Sequence, residues 1–437
     1  MVAPERRRRG DLVVVAVLLV TTLVAIAAVW FTSDSRRVTS EVASEPLTET
    51  YEETTAKQSL FDSDSLHELW RTEHSASIPP LTAQGAVISV VEGTVRGHDP
   101  SDGTAAWAYS RDTPVCGAAT VWNRMVAVYA GRRGCDEVTS LDPTTGHRGP
   151  QRTSEADNPI QVVADGTNFL AFGTSRLEVW RSDMVRTLEF GRVSAPIGRD
   201  HQPRSGCKIR DAKLSRSRLA VIVQCPDDLG ERLIMQASQP ETFREPEEFG
   251  NALLTRFDSV LGEVPGVSGA HIVTATAQSV AIYVPGATPE LVVFDADAEQ
   301  LARRSLAIAP SLDDAAPTEL GAIVPDRMDG TTTDPISNVA YWFTGSDIVV
   351  LSPRDYQPLW AIPNAVGTPT LVKQSLFVPV EGGIAVVDTT TGLVRNIIDV
   401  ERDKDVSLIR LATVGGVVIE QRDNMLVALA AETSEAD

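Results

Sequence analysis

One short turn recurs in this chain at two distant positions, as Asp142-Pro143-Thr144-Thr145-Gly146 and Asp388-Thr389-Thr390-Thr391-Gly392. In each copy the leading aspartate can accept hydrogen bonds from backbone amides two residues on, and the closing glycine supplies a positive φ. Alternating β-branched and apolar residues flank both copies, so the unit reads as strand, tight turn, strand. Looser versions give seven copies in all, at residues 95–107, 138–150, 177–190, 232–243, 291–304, 348–360 and 384–396. Two of them place a tryptophan at the same offset after the turn opens: Trp107 follows Asp99 and Trp360 follows Ser352. A large apolar ring there can pack one unit against the next.

Repetition with this period, and no amphipathic helix of ordinary length, predicts an all-β chain and a single β-propeller. The ends of the chain extend the prediction. The final strand, near Leu426, stops where the second half of the unit should begin, while Leu66-His67-Glu68-Leu69-Trp70 carries that missing half at the front. Pairing the two closes the ring and removes its exposed edges. The composite unit brings the count to eight blades over residues 66–434, about 46 residues each. Seven is the alternative, should the irregular stretch at residues 247–269 or the loop at 326–334 not belong to blades of their own.

Ahead of the ring, residues 12–31 are uncharged and almost wholly apolar, long enough at 1.5 Å per residue to cross a hydrocarbon core of about 30 Å. Arg6, Arg7, Arg8 and Arg9 precede this run, which places residues 1–11 in the cytoplasm and the ring outside it by the positive-inside bias. The expectation is a single-pass cell-membrane protein with a periplasmic propeller. A cleaved signal peptide ending at Ala25-Ile26-Ala27 is the alternative. Residues 32–65 are rich in Ser, Thr and Glu without a repeating apolar face, and read as a flexible acidic tether.

A net charge of -20 argues against nucleic-acid binding, which needs a basic footprint. The four cysteines stand in two pairs, each bracketing a strand-turn-strand unit, which predicts disulfides Cys116–Cys135 and Cys207–Cys225 in an exported chain. No Cys-x-x-Cys knuckle is present. The six histidines (His67, His74, His98, His147, His201 and His271) show no metal-ligand spacing, so no metal site is expected. Ser268, in Gly266-Val267-Ser268-Gly269, lacks the setting of a nucleophile elbow. Asp295, Asp297 and Glu299 open like a calcium loop but lack its glycine and distal glutamate, and read as turn residues. Asp326, Arg327, Met328, Asp329, Gly330 and Asp334 read as an acidic loop. No catalytic residue and no cofactor is expected. A quinone-dependent enzyme remains the remote alternative, since its common membrane form needs adjacent cysteines that this chain lacks.

The tryptophan-bearing outer strands and the Asp-x-x-Thr-Gly turns resemble quinoprotein-like propeller repeats. The arginine-rich start, single anchor and acidic tether, together with Cys116-Gly117, Arg133-Gly134-Cys135-Asp136-Glu137, Gly146-His147-Arg148-Gly149-Pro150, the run from Leu177 to Leu188, Gly206-Cys207 and Cys225-Pro226, resemble mycobacterial and corynebacterial envelope proteins called polar growth factors. The resemblance implies a non-catalytic factor of envelope biogenesis that binds trehalose monomycolate or a related glycolipid. It also implies cooperation with the resistance-nodulation-division mycolate exporter, and effects on polar growth and lipoarabinomannan maturation. A protein-interaction scaffold without a small ligand is the second reading. Trp180, Arg181, Asp183 and Arg186 are the candidate ligand-binding residues, because a tryptophan beside arginine and aspartate can stack on and hydrogen-bond a sugar. Blade packing by Trp180, with a strand-end ion pair beside it, is the competing reading.

Overall fold

Six of the seven repeated units form a hairpin that is the outer half of an antiparallel blade, and the seventh, at 232–243, supplies the third strand of its blade and the turn after it. The computed structural model describes residues 9–32, 37–48, 60, 61, 63–193, 202–254, 269–285, 289–306, 322, 323, 340–352, 355–403, 406 and 408–431. Blade 1 spans Leu81–Ala83 to Ala105–Arg111, blade 2 Val115–Val121 to Arg148–Thr153, blade 3 Gln161–Ala164 to Arg186–Gly191, and blade 4 Lys208–Ser215 to Glu248–Leu253. Blade 5 spans His271–Ala275 to Gln300–Ser305, blade 6 Ala322–Ile323 to Pro358–Ile362, and blade 7 Thr370–Val372 to Val394–Val400. Blade 8 is composite. Its first three strands are Ile409–Val414, Val417–Arg422 and Met425–Ala431, and its fourth is Ser65–Glu73, running antiparallel to the last of these from Leu66↔Ala431 to Glu73↔Met425. The count is therefore eight. Part of the stretch read as irregular, Glu248–Leu253, is the fourth strand of blade 4.

First strands of neighbouring blades touch from blade 1 through blade 6 and from blade 7 through blade 8 to blade 1, so these strands line the centre of the ring. The core is divided in the same way. Eight clusters of buried side chains fall one at each junction between blades, from Trp107 and Tyr129 between blades 1 and 2 to Trp70 and Ile419 between blades 8 and 1. Alternation along the strands makes this arrangement possible, because each strand presents successive side chains to the two neighbouring junctions.

The repeated turn has a second role at these junctions. In blade 2, Asp142 accepts the amides of Thr144 (2.9 Å) and Thr145 (3.1 Å), and Gly146 closes the turn at φ +74°. The ring of Trp107, from blade 1, lies flat against that glycine, where a Cβ would meet it at 2.8 Å, and its indole N–H donates to the Pro143 carbonyl (2.9 Å). Trp70 of the closing strand docks in the same way on Gly103 and the Pro100 carbonyl of blade 1 (2.8 Å). Trp360 of blade 6 packs on Gly392 of blade 7. A glycine is required at these turns both for its backbone angle and for the space the indole takes. The seam between the chain ends is thus locked like an ordinary junction.

Both disulfides form as the spacing predicts, Cys116–Cys135 and Cys207–Cys225. They close loops of 19 and 18 residues. Opening either by Cys→Ser replacement is expected to lower stability by about 3 kcal/mol, readable as a shift of the denaturant midpoint under non-reducing conditions. An unchanged midpoint would show that the bridge adds nothing to the strand pairing around it.

The tether expectation needs correction. Val38–Glu41 pairs antiparallel with the outer strand of blade 1, from Val38↔Arg111 to Glu41↔Ala108, and makes a fifth strand there. The chain then crosses to blade 2, where the amides of Ala43 and Leu47 donate to the carbonyls of Thr145 and Thr144 at 3.0 Å each. Leu47 is buried in the cluster between blades 1 and 2. Leu60 is fully buried between blades 7 and 8, and Phe61 meets Phe377 edge-on at 5.5 Å. Composition misleads here because the outer strand of blade 1 offers unpaired backbone groups, and backbone pairing is indifferent to side-chain polarity.

Ahead of this strap, the helix Arg9–Thr32 contains a stretch, Gly10–Phe31, long and apolar enough to cross a membrane. Its side chains are apolar on all sides and none is buried against the ring, as expected of a segment whose partner is lipid or a signal sequence read in transit. Thr21, one of its few polar residues, returns its hydroxyl to the carbonyls of Val17 and Leu18 (2.9 Å each), which satisfies it without water.

Candidate functional site

The four residues expected to bind a sugar are placed on the third blade, and the structure separates them. Trp180 ends the third strand, is 2% exposed, and stacks on Phe169 at 5.4 Å with the rings 7° apart. Its N–H donates to Glu178 Oε2 (2.8 Å). No ring face is open for a sugar, so the packing reading of Trp180 holds. Arg181 and Asp183 pair with each other on the exposed turn that follows (2.8 Å). Each holds the other charged: hydrogen bonding between them raises the arginine pKa and lowers that of the aspartate. Arg186 turns inward, and its guanidinium lies over the Phe243 ring at 4.7 Å.

Arg186 belongs to a buried ionic knot. Glu178 and Glu189 face each other across the third and fourth strands of blade 3. Arg176 bridges them at 2.5 Å and 3.0 Å, and Arg186 does the same at 2.8 Å and 2.7 Å. Arg152 of blade 2 reaches Glu178 at 3.6 Å, and the Ser154 hydroxyl donates to the same carboxylate. Burial pushes the Glu178 pKa up, but Arg176 and Arg186 outweigh it and hold the carboxyl below its ordinary value. Burial pulls Arg152 down, and the positive Arg186 and Arg176 beside it add to that pull. Three guanidinium groups thus share two carboxylates. The knot fixes blade 3 against blade 2, and its polar groups are turned on one another.

The remaining titratable groups are also absorbed by structure. His74 accepts the Val90 amide at Nδ1 (3.1 Å) and donates from Nε2 to Ile78 O (2.9 Å), and burial lowers its pKa to about 4. Asp211 and His271 face each other at 3.9 Å on the first strands of blades 4 and 5, and Asp211 accepts the amide of Ile272 across the junction (2.8 Å). Asp295 accepts the amides of Asp297 and Glu299 as a turn residue should. Among the described residues no group of three or more His, Cys, Asp or Glu side chains could hold a metal ion. His201, Ser268 and residues 326–334 lie outside the described residues.

The open space lies elsewhere, at the junctions of blades 6, 7 and 8. A cleft of about 1030 Å³ runs there, with Ile362, Ala385, Val394 and Ile397 among its apolar walls and Asn364, Glu381, Arg410 and Asp423 among its polar ones. Ala385 and Ile397 are direct cross-strand partners on the face of blade 7 that looks toward blade 6. Val394 and Ile397 belong to the outermost strand of blade 7 and Arg410 to the innermost strand of blade 8, while Glu381 and Asp423 lie in the turns between the second and third strands of their blades, so an apolar rim meets a wall of mixed chemistry. The Arg410 guanidinium donates to the Ala76 carbonyl (3.3 Å). Sequence reasoning missed these residues. Ala385 and Val394 lie in the repeat at 384–396, but the others lie outside the repeats, and only the packing of blades 6, 7 and 8 brings them together.

No family model matches the chain, and no curated protein matches it. Among solved structures it is similar to Saccharomyces cerevisiae Sqt1, with 10% identity and a TM-score of 0.51 over 84% of this chain and 100% of that one. BamB from Moraxella catarrhalis gives 12% identity and a TM-score of 0.49 over 84% and 99% of the two chains. A europium-containing methanol dehydrogenase gives 11% and 0.47 over 81% and 84%. At such identities the likeness is one of fold. Strand order, the closing N-terminal strand and the likeness to Sqt1 agree that the chain is a β-propeller, preceded by the apolar helix Arg9–Thr32.

Proposed function

We propose that this protein is a non-catalytic, membrane-anchored binding module of the cell envelope, holding its propeller in the periplasm against the outer leaflet of the cytoplasmic membrane. The observation that carries this reading is the strap. Four residues separate the end of the helix at Thr32 from Arg37, where the chain rejoins the ring, and five Cα steps reach at most about 19 Å. A ring mounted so close to lipid is suited to receive a lipid, and the two disulfides suit an oxidising compartment. Resemblance to the polar growth factors supplies the ligand, trehalose monomycolate or a similar glycolipid, and the partner, the mycolate exporter of the resistance-nodulation-division class.

The test is lipid analysis of the full-length chain purified in native membrane discs from a mycolate-producing bacterium. The expected result is enrichment of trehalose monomycolate over discs carrying an unrelated single-pass protein. Discs without that enrichment, yet with the exporter captured, would replace lipid binding by protein scaffolding.

A further inference from the structure

We propose that the cleft between blades 6 and 7 seats a long-chain amphiphile with an uncharged, hydroxyl-rich head, its chain along Ile362, Ala385, Val394 and Ile397 and its head toward Arg410 and Asp423. The proposal rests on the lipid-binding reading above and gives it a place. Three observations carry it. The first is the exposed apolar mouth of the cleft. Ala385 and Ile397 face blade 6 as cross-strand neighbours, and Val394 and Ile397 remain 46% and 54% exposed at the rim. Two large aliphatic side chains left half-open at the mouth of an apolar cleft favour a hydrocarbon occupant, because each would gain from being covered.

The second observation concerns the charges in the wall. Among the described residues the wall carries one guanidinium, Arg410, two carboxylates, Glu381 and Asp423, and the Asn364 amide. Such a wall offers donors and acceptors together. A phosphate head only accepts and would meet two like charges, and an ammonium head only donates and would meet the arginine. A hydroxyl does both, so a polyol satisfies the wall without a charge penalty. Burial lowers the pKa of Arg410, which fits a guanidinium turned into a partly desolvated site.

The third is access. The strap ties the ring within about 19 Å of the helix end. The strap fastens blade 1, so the cleft, further round the ring but with its apolar mouth on the rim, meets lipid when that sector turns toward the bilayer.

The experiment uses the full chain in lipid nanodiscs and a dodecyl maltoside that carries a diazirine at the end of its alkyl chain. Photolabelling should fall on peptides covering residues 394–402 and be competed by unlabelled dodecyl maltoside, but weakly by dodecyl phosphate, dodecyltrimethylammonium or maltose alone. The double replacement Val394→Asp and Ile397→Asp changes only exposed positions and should cut labelling there about tenfold, the effect of setting charge against hydrocarbon. Arg410→Gln should weaken competition by dodecyl maltoside by about tenfold, the low end for a hydrogen bond to a charged group. Labelling that falls elsewhere, or that ignores these replacements, overturns the cleft. Equal competition by dodecyl phosphate overturns the choice of head. Glycolipid that co-purifies while the label lies elsewhere removes the site and leaves the function. A labelled cleft without co-purifying glycolipid does the reverse.

Discussion

Replacing Glu178 by glutamine is expected to be among the most damaging single changes in this protein, lowering stability by about 3–5 kcal/mol at neutral pH. Glu178 is 3% exposed in its side chain and answers Arg176, Arg186 and, at longer range, Arg152. Without its charge, three guanidinium groups are left with Glu189 alone. An uncompensated buried charge is the expensive outcome, whereas replacing the whole knot by aliphatic side chains of similar volume need not be destabilising. The pH dependence has a definite sign. The folded-state pKa of Glu178 lies below its ordinary value of 4.5, so the carboxylate stabilises the fold above that value and loses its contribution as pH falls through the depressed one. Denaturant midpoints of wild type and Glu178→Gln should therefore stand apart at pH 7 and converge in acid. A gap that stays constant with pH would mean that the loss comes from packing. Arg181→Ala, which breaks the exposed pair with Asp183, is the control and should leave the midpoint in place.

A loss of similar size is expected from Trp107→Ala, about 3–5 kcal/mol, because the indole is 1% exposed, fills the junction of blades 1 and 2, and holds the Pro143 carbonyl. Gly146→Ala should hurt for two reasons at once. Its φ of +74° disfavours any Cβ, and that Cβ would stand 2.8 Å from the indole. The two replacements should therefore be non-additive. In a Trp107→Ala background the contacts with the ring atoms are gone and only that with the Cβ of residue 107 remains, so the second change should cost less than it does in the wild type. A double-mutant cycle in denaturant measures this, and strict additivity would show that ring and glycine do not form one unit.

The outer hairpins, save the fourth strand of blade 4, were legible in the sequence because their signals are local. A period-two pattern, an aspartate that caps its own turn and a glycine with positive φ sit within about a dozen residues, and the same signals placed the composite blade at Leu66 and Leu426. Trp180 shows where such reading fails. Trp107 and Trp360 come after their turns, on the outermost strand, and dock on the next blade. Trp180 comes before its turn, on the third strand, and so faces the interior of a junction. That offset was the available signal. The cleft had none, since Asn364, Glu381, Arg410 and Asp423 are ordinary residues of separate turns and strands until the ring closes. The strap was hidden for a different reason: Val38, Thr39, Ser40 and Glu41 contribute their backbone to blade 1, and composition does not report backbone pairing.

That strap also sets how the protein explores its surroundings. A free segment of 34 residues, as composition suggested, would let the ring wander through a hemisphere with a radius of roughly 110 Å. Fastened at Val38, the ring is closer to a wheel on a short axle. With the helix embedded, its search for ligand and partner becomes a two-dimensional one, at the diffusion rate of the membrane. Only the sectors of the rim that swing toward the bilayer take part in it.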